Sequence, residues 1–208
     1  MTLETWLAFV AASTILLVIP GPTILAVISY AVSHGARATL ALVSAVALGD
    51  ATAVFASMVG LGALMAASAF WFTVVKVIGG LYLLYLGVKL LRSGVSPVTV
   101  AATSQPTSLR RLFTSTYVVT ALNPKGIVFF IAFLPQFVTP GPGSTGQLWL
   151  LGTTFVVLGA LNAAVYALFA SSARRLLTSG RAQRWFNVTG GSLLTSAGIW
   201  ALLARRPV

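Results

Sequence analysis

The chain has 208 residues, of which 58% are hydrophobic and only 7% are charged. A soluble domain carries about 25% charged residues, so the two acidic and thirteen basic side chains present here could not cover the surface of a soluble fold. The composition therefore excludes a soluble enzyme and a disordered protein, and it indicates an integral membrane protein. The basic residues form no stripe with interleaved aromatic side chains, so the net charge of +11 predicts no nucleic-acid partner.

Six apolar stretches are long enough to cross a bilayer, which takes about 20 helical residues. Their mixture of leucine, valine, alanine and glycine has no alternating polar period, which favours helices over a β-barrel. We therefore predict an all-α integral membrane fold with six transmembrane helices. The approximate limits are Thr5–Val32, Thr39–Leu64, Phe70–Leu91, Leu112–Val138, Leu148–Ser171 and Trp185–Ala204.

The first stretch is interrupted near its middle by Pro20-Gly21-Pro22. Proline lacks a backbone N–H and clashes with the preceding turn, so this tripeptide should unwind the helix locally. Unwound backbone is tolerated at membrane depth only where it is buried in protein or lines a wet cavity. The half-helix that restarts near Thr23 should present unpaired N–H groups and a positive dipole end, which suit a carboxylate. A simple packing kink is the alternative interpretation.

The second stretch contains Asp50 near its middle, directly after Gly49 and with no other charge nearby in sequence. An ionised carboxylate at bilayer depth is costly, so such a residue normally has a charged partner or binds a proton. We therefore single out Asp50 as a candidate site for substrate or proton binding.

Two halves of three helices each are indicated by an internal repeat in the third and sixth stretches. The segments Gly79–Gly87 and Gly190–Gly198 share three glycines and one leucine at a single offset. Small residues are common in packed membrane helices, which is the simpler explanation of the match. We predict one transporter domain over residues 1–208, with repeats 1–93 and 110–208 joined by a polar linker, 94–109. An odd number of crossings inverts the second repeat.

The fourth stretch has a matching interruption at Asn123-Pro124-Lys125-Gly126. Broken helices at corresponding positions of two inverted halves indicate the binding site of a transporter. Lys125 lies at the same predicted depth as Asp50, far from either helix end, whereas Lys76 and Lys89 can extend to the interface. We predict that Asp50 and Lys125 face one another across a cavity at mid-membrane depth. A purely structural ion pair is the alternative.

The fifth stretch adds Asn162 and Tyr166 as candidate polar lining of the same cavity. Such side chains can equally hold helices together by hydrogen bonds. The predicted substrate site comprises Pro20, Gly21, Pro22, Thr23, Asp50, Asn123, Pro124, Lys125 and Asn162.

The orientation follows from the connections between the stretches. Basic residues in the first, third and fifth connections are Arg37, Lys89, Arg92, Arg110, Arg111, Arg174, Arg175, Arg181 and Arg184, and the second and fourth connections carry none. By the positive-inside rule, the odd connections and the linker are cytoplasmic and both termini lie outside the cytoplasm. Arg205 and Arg206 oppose this orientation but are outnumbered. Trp6, Trp71 and Trp149 then fall at outer helix ends, as an interfacial belt requires.

Few side chains could support a metal site or hydrolytic chemistry. Cysteine is absent, His34 is the single histidine, and Glu4 and Asp50 are the two carboxylates. This set offers too few ligands for a dedicated transition-metal site and no pair of buried carboxylates. We therefore expect no cofactor, no metal site and no enzymatic activity.

Several motifs together resemble the LysE/RhtB family of amino-acid exporters. They are Ile19-Pro20-Gly21-Pro22, Gly49-Asp50, Gly79–Leu83, Asn123-Pro124-Lys125, Phe129-Phe130 and Pro135-Gln136-Phe137. The resemblance covers essentially the whole chain. It implies a multi-pass permease of the bacterial inner membrane, of the homoserine/threonine type, that uses the proton gradient to export amino acids or their derivatives. It also implies a homodimer, but it does not specify which substrate is exported.

The leading hypothesis is a secondary exporter that works by alternating access on small zwitterions such as threonine, homoserine or leucine. The half-helix ends at Thr23 and Lys125 would hold the carboxylate, and Asp50 would bind the ammonium group or carry the coupling proton. The alternative is a non-transporting membrane scaffold or assembly protein. In that case Asp50 and Lys125 could be replaced together by apolar residues without loss of function.

Overall fold

The computed structural model describes residues 1–67, 69–94, 108–139 and 143–203. Every regular element in these ranges is helical, which confirms the predicted all-α class. The helices are α1 (Leu3–Val18), α2 (Pro22–His34), α3 (Thr39–Ala67), α4 (Ala69–Arg92), α5 (Leu109–Ala121), α6 (Pro124–Ala132), α7 (Ser144–Leu168), α8 (Ala170–Thr178) and α9 (Gly180–Leu203), with 3₁₀ turns at Gly35–Ala38 and Leu134–Phe137. Nearly all of the predicted linker, 94–109, lies outside the described residues.

Three helical runs among the described residues are long and apolar enough to cross a membrane. They are Pro22–Gly60, Leu109–Phe137 and Ser144–Leu168, and α1 is a shorter apolar helix. Large apolar side chains such as Leu40 and Leu203 are strongly exposed, which suits a surface that contacts lipid. The chain therefore has the features of a membrane protein, and the six-span inverted arrangement stays a prediction.

Both predicted helix breaks are confirmed. Helix α1 ends at Val18 and α2 begins at Pro22, while α5 ends at Ala121 and α6 begins at Pro124. Proline occupies the first turn of both restarting helices, where its missing N–H is not needed and its fixed φ suits helix entry. Each break therefore leaves the C-terminal end of one half-helix beside the N-terminal end of the next.

The fifth connection differs from the short loop that the sequence predicts. Helix α7 ends at Leu168, and after Phe169 the chain forms the short helix α8. Its residues Ala170 and Ala173 are buried, and Ala173 packs with Ile24 and Ile28 of α2. The predicted fifth span, which extends to Ser171, is therefore too long at its end. The small side chains of Ala170 and Ala173 let α8 pack closely on α2, although Arg174 and Arg175 come directly after them in the sequence.

Glycines fix how closely the helices approach. Helix α3 packs against α5 and α7, and α4 packs along α9. A β-carbon added at Gly49 would lie 2.7 Å from Cβ of Thr120 in α5, and one at Gly152 would lie 2.6 Å from Cε of Met58. Glycine at these positions lets the helices approach closely. Close packing matters in a membrane because the hydrophobic effect does not drive helices together there. The result is that α3, with Asp50, is held between α5 and α7.

Candidate substrate site

A small cavity lies where the two broken helices meet α3 and α7. It measures about 30 Å³ and is lined by Leu16, Leu17, Gly21, Thr23, Ile24, Val46, Asp50, Asn123, Lys125, Gly126, Phe155, Gly159 and Asn162. Six of the nine predicted site residues line it. Pro20, Pro22 and Pro124 do not line it, although they form the breaks beside it. A cavity of this size has room for about one or two water molecules, so it is too small for an amino acid in this arrangement of side chains.

The C-terminal end of α1 is the first element of the site. Pro20 and Pro22 have no N–H, so the carbonyls of Leu16 and Val18 lack the partner that a continuing helix would supply. The break also removes the partners of Leu17 and Ile19. These four groups correspond to the four unpaired carbonyls that every helix end leaves. Side chains of α6 and α7 satisfy all four of them.

Lys125 bonds to two of these carbonyls. Its Nζ donates to the carbonyl oxygens of Leu16 and Ile19, each at 2.9 Å. The lysine stem passes close to Gly21, where an added β-carbon would lie 3.4 Å from Nζ. The ammonium of α6 is therefore held by the negative end of the α1 dipole, a favourable arrangement for a partly buried cation.

Helix α7 supplies the partners of the other two carbonyls. Asn162 Nδ2 donates to the carbonyl of Leu17 at 3.0 Å, and the hydroxyl of Tyr166 donates to that of Val18 at 2.9 Å. Both residues had been predicted as polar lining or helix-to-helix contacts. Asn162 has both roles, since it lines the cavity and bonds to α1. Tyr166 bonds to α1 without lining the cavity.

The N-terminal ends of α2 and α6 meet through side chains. Asn123 Nδ2 donates to Thr23 Oγ1 at 3.2 Å, while Asn123 Oδ1 accepts from the backbone N–H of Lys125 at 3.1 Å. Thr23 is buried in the first turn of α2. Two positive helix ends are therefore joined beside the cavity, as an anionic group would require.

Asp50 is the acidic group of the cavity and is only 8% exposed. Its carboxylate lies so close to Gly159 of α7 that a β-carbon there would collide with Oδ2. The carboxylate and the Lys125 ammonium line the same cavity and attract one another electrostatically. The two hydrogen bonds of Lys125 Nζ described above nevertheless go to backbone carbonyls.

Aromatic side chains pack beside the cavity, toward the C-terminal end of α6. Phe155 lines the cavity and meets Phe130 edge-on, with ring centroids 4.6 Å apart. Phe129 packs on Phe133 at 4.8 Å, and Phe9 packs on Phe137 at 5.3 Å. Elsewhere, Ser115 of α5 donates to the hydroxyl of Tyr30 in α2 at 3.1 Å. The polar cavity is thus bordered on one side by a packed aromatic cluster.

Sequence reasoning missed two parts of this site. Gly159 carries no chemistry of its own, but it lies three residues before Asn162, on the same helical face, so that spacing could have identified it. The free carbonyls at the end of α1 cannot be recognised from their side chains. Pro20 and Pro22 nevertheless indicate two of them, because a proline leaves the carbonyl four residues before it, here in Leu16 and Val18, without its helical partner. Among the described residues, no group of three or more His, Asp or Glu side chains could hold a metal ion.

A family model described as LysE type translocator matches residues 14–205 of the chain. The chain belongs to this family. It is therefore a membrane transporter and not an enzyme, as the motifs at the helix breaks and around Asp50 predicted. The family match runs through both half-helix pairs, α3 and α7, so it includes every residue that lines the cavity.

The chain is also similar to individual curated proteins. It is 31% identical over 204 residues to the homoserine/homoserine lactone efflux protein of Salmonella typhimurium, a match that covers 98% of each chain. It is 31% identical over 157 residues to the leucine efflux protein of Salmonella typhimurium, covering 75% of this chain and 74% of the relative. An uncharacterized membrane protein of Vibrio cholerae is 31% identical over 205 residues, covering 99% of this chain and 100% of the relative. No solved structure matches the chain.

Proposed function

We propose that the protein exports amino acids or small amino-acid derivatives across the bacterial inner membrane. The observation that carries this proposal is the small polar cavity at the two helix breaks. It combines a carboxylate, an ammonium, two positive half-helix ends and one negative half-helix end. A zwitterion needs partners of both signs within a few ångströms, and this cavity supplies them. The efflux proteins similar to this chain support the same substrate class.

The substrate's two charged groups have separate partners in the cavity. We propose that the carboxylate binds where the N-terminal ends of α2 and α6 meet, near Thr23 and Asn123, because the positive ends of two helix dipoles favour an anion. We propose that Asp50 binds the ammonium group or carries the coupling proton. Threonine, homoserine and leucine are the amino acids that we expect as substrates.

Transport by alternating access would widen this small cavity and open it to each side of the membrane in turn. The repeats 1–93 and 110–208 would supply the two moving halves, and the breaks at Pro20–Pro22 and Asn123–Lys125 would supply their flexible points. Proton coupling through Asp50 and a homodimeric assembly complete the proposal. The native mass of the purified protein tests the homodimer.

An export screen tests the function directly. Cells that lack their own amino-acid exporters would express the protein and be loaded with dipeptides that release leucine, threonine or homoserine. We expect one or more of these amino acids to appear in the medium faster from the expressing cells than from cells with an empty vector. The expressing cells should also tolerate a higher concentration of that amino acid. Equal efflux from both strains for every amino acid tested would refute the proposed function.

The helix breaks themselves are open to mutation. Alanine at position 22 or 124 restores an N–H that can bond to the carbonyl four residues earlier, in Val18 or Thr120, and so straightens the helix. We expect Pro22→Ala and Pro124→Ala to lower export by about tenfold or more, because a displacement of about 1 Å in a binding site is costly. Immunoblots of membrane fractions control for insertion. Normal transport by a well-expressed double variant would mean that the breaks are packing kinks.

The orientation can be measured by cysteine labelling, since the natural chain contains no cysteine. We expect a cysteine at Gly143, which precedes α7, to react with a membrane-impermeant thiol reagent in intact cells. A cysteine at Thr103, in the polar linker, should react only after the cells are opened. Trp6 Nε1 donates a hydrogen bond to Thr154 Oγ1 at 3.2 Å, which places the first turn of α1 beside the N-terminal half of α7. We therefore expect the N-terminus and Gly143 to lie on the same side of the membrane. The reverse labelling pattern would contradict the orientation.

A further inference from the structure

We propose that the C-terminal carbonyls of α1 form the subsite for a substrate's primary ammonium group, and that Lys125 occupies this subsite when no substrate is bound. This inference rests on the proposed function and assigns the ammonium group to backbone atoms of α1. The ligand class is a primary ammonium, which excludes amino acids whose nitrogen is acylated.

The geometry of the subsite matches an ammonium group. The carbonyl oxygens of Leu16 and Ile19 both lie 2.9 Å from Lys125 Nζ. The other two carbonyls of this helix end receive neutral donors from Asn162 and Tyr166. Only the Leu16 and Ile19 carbonyls are therefore held by a cation. The C-terminal end of a helix carries a partial charge of about −0.5 elementary charge, so this position favours a cation over a neutral donor.

Lys125 is suited to leave this position. It lies in the first turn of α6, where the positive end of the helix dipole disfavours a cation. The interaction that holds its ammonium is thus with α1 rather than with its own helix. A substrate ammonium offers the same N–H donors without being attached to a positive helix end, and it can replace Lys125 at the two carbonyls.

The exchange also keeps every charge paired. The cavity of about 30 Å³ has no room for an amino acid while the lysine side chain crosses it beside Gly21. Once displaced, the Lys125 ammonium is free to meet the substrate's carboxylate at the joined ends of α2 and α6. The zwitterion would therefore enter between Lys125 and the α1 carbonyls. In the absence of substrate, the lysine would prevent small cations from occupying a site that also contains Asp50.

The inference is tested by removing the lysine and supplying a free ammonium. Purified Lys125→Ala should be stabilised against thermal unfolding by methylammonium in a saturable way, since a ligand that binds only the folded state raises its stability. The apparent Kd of the wild-type protein for methylammonium should be at least about tenfold higher than that of Lys125→Ala. The reason is that the tethered Lys125 ammonium competes for the same carbonyls at an effective concentration of millimolar or more. Lys89→Ala is the matched control, as Lys89 lies against the ring of Tyr85 away from the cavity.

Tetramethylammonium separates a charge effect from donation to the carbonyls. It carries the same charge but no N–H, so it should leave the unfolding temperature of Lys125→Ala unchanged. If Lys125→Ala is recovered only as aggregate, methylammonium present throughout purification should restore folded protein, and tetramethylammonium should not. Equal responses of wild type and Lys125→Ala, equal effects of both ions, or no rescue would each overturn the inference.

This measurement is independent of transport. Binding of methylammonium to Lys125→Ala together with a negative export screen would refute the proposed function and leave the subsite in place. Export by the wild type without any methylammonium response of Lys125→Ala would refute the subsite alone.

Discussion

Replacing Asp50 with asparagine is expected to reduce amino-acid export to the level of cells that lack the protein. Asparagine has nearly the same shape, so the contact with Gly159 is kept, but it neither binds a proton reversibly nor balances an ammonium group. The cavity would then contain the Lys125 cation with no acidic side chain beside it. Export of the amino acid identified by the screen, measured at equal membrane abundance, gives the result.

The chain supplies its own control for this experiment. Glu4 is the other carboxylate side chain, and it lies exposed in the first turn of α1, so Glu4→Gln should export normally. Substrate exchange in proteoliposomes separates the two roles of Asp50, because exchange requires binding but no net proton movement. Retained exchange with loss of uphill export would assign proton coupling to Asp50, and loss of both would assign ammonium binding. Full uphill export by Asp50→Asn would refute both roles.

The helix breaks and the residues around them could be predicted because proline acts locally. Pro22 and Pro124 cannot continue a helix from the preceding turn, and both start a new helix in the structure. A charged residue far from any helix end also has few explanations in a membrane. Asp50 and Lys125 could therefore be assigned to one cavity without any knowledge of how the helices pack.

The partners of Lys125 could not be predicted in the same way. Side-chain reasoning offered Asp50, the single acidic residue at that depth, whereas the hydrogen bonds of Nζ go to backbone carbonyls of Leu16 and Ile19. A carbonyl looks the same at every position, so its availability depends on where a helix ends and what packs there. Helix α8 was missed for a related reason, since a helix of nine residues depends on packing more than on intrinsic propensity.

The glycine repeat gains a physical meaning from the packing of α4 on α9. A β-carbon at Gly191 would lie 2.9 Å from the carbonyl oxygen of Gly87, and one at Gly198 would lie 2.8 Å from that of Gly80. The repeat offset pairs Gly80 with Gly191 and Gly87 with Gly198. In the antiparallel pair the contacts are exchanged, so that Gly80 lies opposite Gly198 and Gly87 lies opposite Gly191. This reciprocity supports the inverted-repeat prediction, because two halves related by a pseudo-two-fold axis would pack through the same positions on both sides. The close contact between α4 and α9 also depends on the absence of side chains at these glycines.

Replacing Gly87 with alanine is therefore expected to destabilise the folded protein by about 1–3 kcal/mol, as overpacking does in other tightly packed interiors. The added β-carbon would collide with the backbone nitrogen of Thr195 and would lie 2.8 Å from the carbonyl oxygen of Gly191. Backbone atoms cannot rotate aside, so α4 and α9 must separate.

The matched control is Gly60→Ala in α3, where no atom of the described residues, apart from the neighbouring helix backbone, lies within 4 Å of the added carbon. Alanine there should be neutral or should raise stability by about 1 kcal/mol through its higher helix propensity. Thermal unfolding in detergent compares the two variants. Adding Gly191→Ala to Gly87→Ala should cost less than the sum of the single changes, because one separation of the helices relieves both collisions. A Gly87→Ala protein as stable as Gly60→Ala would contradict close packing of α4 on α9.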